Sequence, residues 1–458
     1  MYLILAQYEV LMFSARLRRQ FIKFSISEGF FWQITVMTIA PGSAYFIEML
    51  RMMGAGDAHY TLLTVFIQSF ALMQIISAII LRKVSNLKIM TMLTFSISRM
   101  IMISFILIII FAPPEAMLTL VFIAVGLYAV FFGIGSNAHI SWIQDRVPKT
   151  FLGRFFAYRE MSIKIAVLTV GFIVAIFFDL FRNAEKGFNP YIRDLVTVPE
   201  FFNMNNQKIA LVIVFGLGII AGLISIYYLS KQPESSYRTK NTQKLGKYLT
   251  EPLKNKQSRK LWFFFLYWSS MAFIGSPFWL PFMLGDLNMS FIGIQLYGAI
   301  STVGCVLIVR KIGKMIDRFG PFTAFRIAII LGFVNPFFFV FATADTSWII
   351  FIEAVTSGIS WGIVAISSFN MMLVNSPKNN KEIYLAVFAI APAIGAIIAS
   401  SMSYPVIKIA DSLVLSYSSY RVVFALTGIM RLSALIPLIL LFRHKSVNLP
   451  INNNNSYK

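Results

Sequence analysis

The chain has 458 residues, is 58% hydrophobic and only 13% charged, and its mean hydropathy of +0.74 excludes an ordinary soluble domain. Its formal net charge of +21 would suggest a nucleic-acid partner in a soluble protein. Here the basic residues lie between long apolar runs, so orientation in a membrane explains them better and no nucleic-acid partner is expected. Cys305 is the single cysteine, and His59, His139 and His444 are widely scattered, so neither a disulfide framework nor a metal site is expected. No cofactor is expected either, and the absence of any G-x-x-x-x-G-K-[ST] stretch excludes an ATP-driven pump within this chain.

Residues 1–27 put Arg16, Arg18, Arg19 and Lys23 after an apolar start and show no small-residue cleavage site. They read as an amphipathic cytoplasmic lead-in lying on the membrane surface, not as a signal peptide. Twelve apolar runs follow, near 30–50, 60–81, 89–111, 118–139, 156–178, 209–229, 261–284, 291–309, 322–342, 348–374, 383–407 and 421–442. Each is long enough to cross a hydrocarbon core of about 30 Å as a helix. Alternate connections carry 29 Lys and Arg on one side against 7 on the other. That asymmetry places both termini in the cytoplasm and requires an even number of spans.

The predicted fold class is therefore an all-α integral membrane protein. A six-helix bundle over 28–230 and another over 261–445 are joined by a basic linker at 231–260 and followed by a polar tail at 446–458. The linker contains nine basic residues and two prolines, Pro233 and Pro252. The outer loop near 179–207 has mixed charge and reads as a solvated lid.

The two halves repeat. Met37 to Tyr45 aligns with Met271 to Trp279, and both stretches run on to a Met-Leu pair, Met49-Leu50 and Met283-Leu284. Helix-breaking residues fall at matching places, Pro41-Gly42 in span 1 and Gly275-Ser276-Pro277 in span 7. Proline removes a backbone donor and frees a carbonyl one turn back. Within a membrane such breaks survive only beside a cavity or a neighbouring helix, and paired breaks point to a substrate site.

Polar stripes at helical spacing extend the list of candidates. Glu353, Ser357, Ser360, Val364 and Ser367 share one face of span 10. Thr35, Thr38, Gly42 and Tyr45 do so in span 1, and Thr61, Thr64, Gln68 and Ala71 in span 2. Serine and threonine also cement helix pairs, so a packing role stays open beside cavity lining. Gly218-x-x-x-Gly222 in span 6 reads as a packing face. Arg99 and Arg431 read as inter-helix hydrogen-bonding or snorkelling residues, and Glu160 with Lys164 as a structural ion pair one turn apart. Glu353 is the one acidic residue placed well inside a span and away from a cytoplasmic end. A carboxylate there is costly unless paired, hydrated or protonated, which makes it the candidate for binding a co-transported proton or cation.

The loop between spans 8 and 9 reads Gly313-Lys314-Met315-Ile316-Asp317-Arg318-Phe319-Gly320, a G-x-x-x-D-R-x-G spacing. Between spans 4 and 5, Asp145-Arg146-Val147-Pro148 leads to Gly153-Arg154 and Arg159. Together with twelve spans in two repeated halves, these segments resemble the major facilitator superfamily of secondary transporters across residues 28–445. The loop between spans 2 and 3, Arg82 to Lys88, departs from the family pattern because it lacks the Gly and the Asp. Span 5 lacks the G-P-x-x-G-G run of the drug/proton antiporters.

The resemblance implies a non-enzymatic carrier that works by alternating access, with a small-molecule substrate bound near the bilayer midplane. It implies cavity-lining roles for residues on spans 1, 2, 4, 7 and 10, here Thr38, Tyr45, Gln68, Tyr128, Trp279, Glu353, Ser357 and Ser360. It also implies a cytoplasmic latch of Gly313, Asp317, Arg318 and Gly320 against Asp145, Arg146, Arg154 and Arg159. A multi-pass monomer among membrane lipids, in a bacterial cytoplasmic membrane, is the accompanying expectation. Symport, antiport and uniport all stay open. The rival functions are a membrane-embedded enzyme of lipid-linked substrates and a non-transporting receptor on the same fold.

Overall fold

The computed structural model describes residues 2–81, 84, 86–147, 152–182, 204–234, 245–376, 381–413 and 418–442. The polar tail, most of the outer loop and the middle of the basic linker lie outside the described residues, as do the side chains of Asp145 and Arg154. Among the described residues all regular structure is helical. The helices are α1 Tyr2–Thr38, α2 Ala44–Met52, α3 Asp57–Leu81, α4 Leu87–Phe111, α5 Pro114–Arg146, α6 Leu152–Asp179 and α7 Gln207–Ser230, then α8 Leu245–Lys254, α9 Lys256–Ala272, α10 Trp279–Leu284, α11 Phe291–Phe319, α12 Pro321–Phe341, α13 Ile349–Val374, α14 Lys381–Ser412, α15 Ser419–Ser433 and α16 Leu435–Phe442.

Nine helical stretches among the described residues are long and apolar enough to cross a membrane. The expected spans 1 and 7 are not single helices. The first is divided between α1 and α2, the seventh between α9 and α10, and each division falls at the predicted break. Gly42 has φ +91°, a backbone angle that side chains resist. Ser43 then caps α2 by accepting from the Phe46 N–H at 3.2 Å. On the far side of the repeat, Asn255 caps α9 by accepting from the backbone of Gln257 and Ser258.

The chain divides into two compact units, Met1–Leu245 with Pro277–Gln295, and Gly246–Ser276 with Leu296–Lys458. Within the first, α4 packs on α5, α1 on α6 and α7, and α4 on α7. Within the second, α12 packs on α13, α9 on α14, and α12 on α15. Counted as spans, 3 with 4, 1 with 5 and 3 with 6 recur as 9 with 10, 7 with 11 and 9 with 12, so the sequence repeat is also a repeat of packing. The first unit's core centres on Phe21, Phe95, Trp142 and Phe155. The second unit's core centres on Phe264, Phe265, Trp268, Phe325 and Phe388. Outward-turned Ile, Leu and Phe side chains such as Ile173, Leu307 and Phe341 stay exposed along the spans, as lipid-facing surfaces do.

Two expectations are corrected by the helices. The lead-in is not a separate surface helix, because α1 continues unbroken through it and Phe21, Ser25 and Glu28 are fully buried in the first unit. Apolar and small residues at a helical spacing turn that face inward. The G-x-x-x-D-R-x-G stretch is not a loop either. Gly313 to Phe319 belong to α11, and the turn is made at Gly320 alone, with φ +79° ahead of Pro321.

Candidate functional site

In the first unit, the face of α1 that carries the threonine stripe is a packing face. Thr35 Oγ1 donates to the Gly218 carbonyl at 2.8 Å, and Thr38 Oγ1 donates to Ile34 at 2.7 Å. A Cβ on Gly218 would strike Thr38 and Ile39, and one on Gly222 would press on Thr35 and Arg99. The G-x-x-x-G spacing of α7 thus brings its backbone onto α1.

Beside this contact lies a cluster of buried charge that sequence reasoning did not assemble. Glu28 is 1% exposed and pairs with Arg159 of α6 at 2.9 Å. Arg99 of α4 and His139 of α5 also lie within electrostatic reach of Glu28. The Arg99 guanidinium sits 3.9 Å from the centre of the Trp32 ring and 4.5 Å from that of Phe95. Trp32 stacks on Phe132 at 5.3 Å, and Phe132 on Tyr128 at 5.3 Å. Glu160 and Lys164, one turn apart and expected to pair, are both exposed and form no ion pair, because the neighbouring Arg159 is the side chain that turns inward.

The second unit holds a counterpart of different construction. Glu353, 3% exposed, accepts a hydrogen bond from Tyr297 of α11 at 2.8 Å. Below it, Ser360 Oγ donates to Ala328 of α12 at 3.1 Å and Ser367 Oγ to Ile363 of its own helix. The stripe on α13 is buried against α12 through Ser360, while Glu353 heads it. Arg431 of α15 donates through Nε and Nη2 to the Ala272 carbonyl at 3.2 and 3.1 Å, and through Nη1 to Gly332 at 3.1 Å. Ala272 is the last residue of α9, so Arg431 satisfies the carbonyl at the break in span 7. Ser403 does the same for Ile274 inside the break.

A third arrangement holds residues 277–295 within the first unit. Both carboxylate oxygens of Asp179 accept backbone N–H groups at the start of α11, from Phe291 and Ile292, each at 2.8 Å. Arg182 donates to the Met289 carbonyl at 2.9 Å. Tyr45 stacks on Phe291 at 4.7 Å, and Phe178 meets the same ring edge-on at 4.5 Å. Arg51 reaches the Leu284 carbonyl at 3.3 Å, and Gln295 donates to Val167 at 2.6 Å.

The predicted residues sort as follows. Glu353, Ser357 and Ser360 share one buried neighbourhood with Tyr297. Tyr45 and Trp279 both belong to the first unit, where Tyr45 stacks on Phe291, Tyr128 belongs to the aromatic stack, and Gln68 is half-buried on α3. Thr38 is fully buried against α7 and is a packing residue. Asp317 and Arg318 are exposed near the end of α11, where Arg318 lies over Phe319. Arg159 of the expected latch is instead taken by Glu28. No group of three or more metal-binding side chains occurs among the described residues.

The sequence model of the Major Facilitator Superfamily matches residues 201–400. No curated protein matches the chain by sequence. Among solved structures, a D-xylose-proton symporter is similar at a TM-score of 0.64 and 15% identity, over 94% of this chain and 98% of that one. The nucleoside transporter NupG is similar at 0.61 and 12%, over 94% and 100%. The E. coli fucose:proton symporter FucP is similar at 0.53 and 12%, over 92% and 98%.

Proposed function

We propose that this chain, which has the major facilitator superfamily fold and carries the family's sequence pattern in residues 201–400, is a secondary transporter of a small solute. The observation that carries the reading is the pair of interrupted spans at matching places in the repeat. Breaking two spanning helices exposes backbone groups that the bilayer cannot satisfy. A purely structural bundle has no use for that cost. A carrier does, since short half-helices can rearrange around a solute. The neighbouring structures include sugar–proton symporters and a nucleoside transporter, so a small polar solute is the class to test first. Neither an enzyme of lipid-linked substrates nor a receptor appears among these neighbours. Twelve spans, cytoplasmic termini and a monomer among lipids complete the proposal, with Gly313 to Gly320 and the segment from Asp145 to Arg159 at the cytoplasmic ends of their helices. Uptake of labelled pentoses, deoxyhexoses and nucleosides into proteoliposomes, with and without an imposed proton gradient, tests it. Solute-specific accumulation above protein-free vesicles is expected, and equal leakage in both overturns the reading.

Glu353 is the proposed coupling group. Its carboxylate is buried inside a span, where it accepts from the Tyr297 hydroxyl at 2.8 Å and from Ser357, with Arg431 within electrostatic reach. Such a group is held far more cheaply when it carries a proton or a cation. Glu353→Gln is expected to abolish gradient-driven accumulation while solute counterflow persists. Accumulation with the parent's pH dependence in that variant removes Glu353 from the coupling step.

A further inference from the structure

We infer that the first unit contains a recognition site for the carboxylate of a planar monoanionic solute, formed by Arg99, Arg159 and His139 around Glu28 and walled by Trp32 and Phe132. The inference deepens the transporter reading by naming a class of solute.

Charge carries the first step. Two guanidinium groups, Arg99 and Arg159, share the cluster with one carboxylate, Glu28, and Arg159 takes that carboxylate at 2.9 Å. Arg99 is 3% exposed, and the hydrogen bonds it makes go to neutral acceptors on its own helix, the Phe95 carbonyl at 3.4 Å and Ser98 Oγ at 3.1 Å. A buried guanidinium whose one nearby carboxylate is already paired with a second arginine is expensive, and an aromatic face compensates only part of that cost. A single added carboxylate brings the two arginines and Glu28 to neutrality, which a dianion overshoots.

Unpartnered polar atoms carry the second step. Arg99 Nε and His139 Nε2 are buried, and neither has a hydrogen-bond partner. Both residues are more than nine-tenths buried, so water does not satisfy them freely. The counterpart in the second unit sharpens the contrast. Arg431 spends three donors on helix-end carbonyls and so has a structural explanation that Arg99 lacks.

The aromatic wall carries the third step and sets the shape. Trp32 and Phe132 are stacked at 5.3 Å, and both remain half-buried while Phe95 and Tyr128 behind them are buried. Arg159 keeps 16% of its side chain accessible, which gives the cluster an approach. A flat ring can lie along the accessible Trp32 and Phe132 edges while its carboxylate turns toward the guanidinium groups.

Thermal unfolding of the purified full chain in detergent tests the site. The probes are benzoate, phenylacetate and indole-3-acetate, set against benzamide, benzylamine, acetate, phosphate and chloride. At least one aromatic carboxylate should raise the unfolding temperature in a saturable way, with benzamide and benzylamine inactive and acetate weaker. Arg99→Lys keeps the charge but loses the fork, and should weaken that binding about tenfold, the scale of one charge-assisted hydrogen bond. His139→Gln should weaken it several-fold, and Lys164→Gln, at an exposed position on α6, should leave it as in the parent. Stabilisation by phosphate or chloride alone would identify a site for inorganic anions and overturn the inference. So would equal stabilisation by benzamide, or parent-like binding in Arg99→Lys. If that variant does not fold, the benzoate-against-benzamide comparison on the parent decides. Proteoliposome uptake separates the two readings. Carboxylate binding with no uptake of any solute leaves the site standing and removes the transporter, whereas uptake of a neutral solute without carboxylate binding does the reverse.

Discussion

A buried arginine cannot be interpreted from its own span. Arg99 and Arg431 look alike in sequence, single cations in apolar helices, and the expectation of inter-helix hydrogen bonding suited both. It holds for Arg431, whose fork meets the carbonyl that ends α9 and another on α12. Its partner Ala272 stands 159 positions away, a separation that no spacing rule reaches. Glu28 was invisible for the same reason, since Arg159 lies 131 positions off and the i,i+4 rule pointed to Glu160 and Lys164 instead. Glu353 was legible because a lone acid inside an apolar run announces its own cost. The role of Arg431 predicts a stability effect. Arg431→Met orphans the Ala272 and Gly332 carbonyls in the bundle interior, at about 1–3 kcal/mol for each unsatisfied group. Thermal unfolding of that variant should fall clearly below the parent, and Arg431→Lys should fall between the two.

Helix ends were the most legible elements. Pro41-Gly42 and Gly275-Ser276-Pro277 marked both breaks, because proline and glycine act through backbone geometry that is local. The extent of α11 was misread for a related reason. Gly313 sits within the helix with open space around it, so a glycine alone did not end the span, and the turn waited for Gly320-Pro321. The stripes were legible as faces but not as to what they face. Thr38 meets α7, and Ser360 of α13 lies against α12, since a helix has no local signal that distinguishes a neighbour from a cavity. The start of α11 adds a prediction. Asp179 and Ser290 satisfy three of its first N–H groups, and Asp179 lies in another helix. Asp179→Asn removes the charge from the positive end of that helix, worth about 0.3–1 kcal/mol when exposed and up to ~2 in less exposed geometries, and Asp179 is buried. Hydrogen exchange of the amides at 291 and 292 should accelerate in the variant, while those of α4 stay as in the parent.

For the whole molecule, composition and charge distribution were enough to place the chain in a membrane, while the repeat was legible through its matching Pro and Gly positions. Composition and charge act through bulk partitioning and need no contact information. Fusions of a topology reporter after residues 115, 190 and 286 should read outside, and fusions after 245 and 380 inside; a cytoplasmic reading at 190 breaks the twelve-span proposal. The repeat of packing has one irregularity with a consequence for ancestry. In the first unit the arginine is on span 3 and presses on Gly222 of span 6, whereas in the second it is on span 12 and bonds to Gly332 of span 9. Cation and glycine have exchanged sides of the same helix pair. If the halves descend from one duplicated gene, the arginine was gained separately in each copy or passed through a stage carrying both. Aligning one half residue by residue on the other would score these two arginines as unrelated insertions of charge. What the two halves share is the helix pair, held by means that a position-by-position comparison does not register.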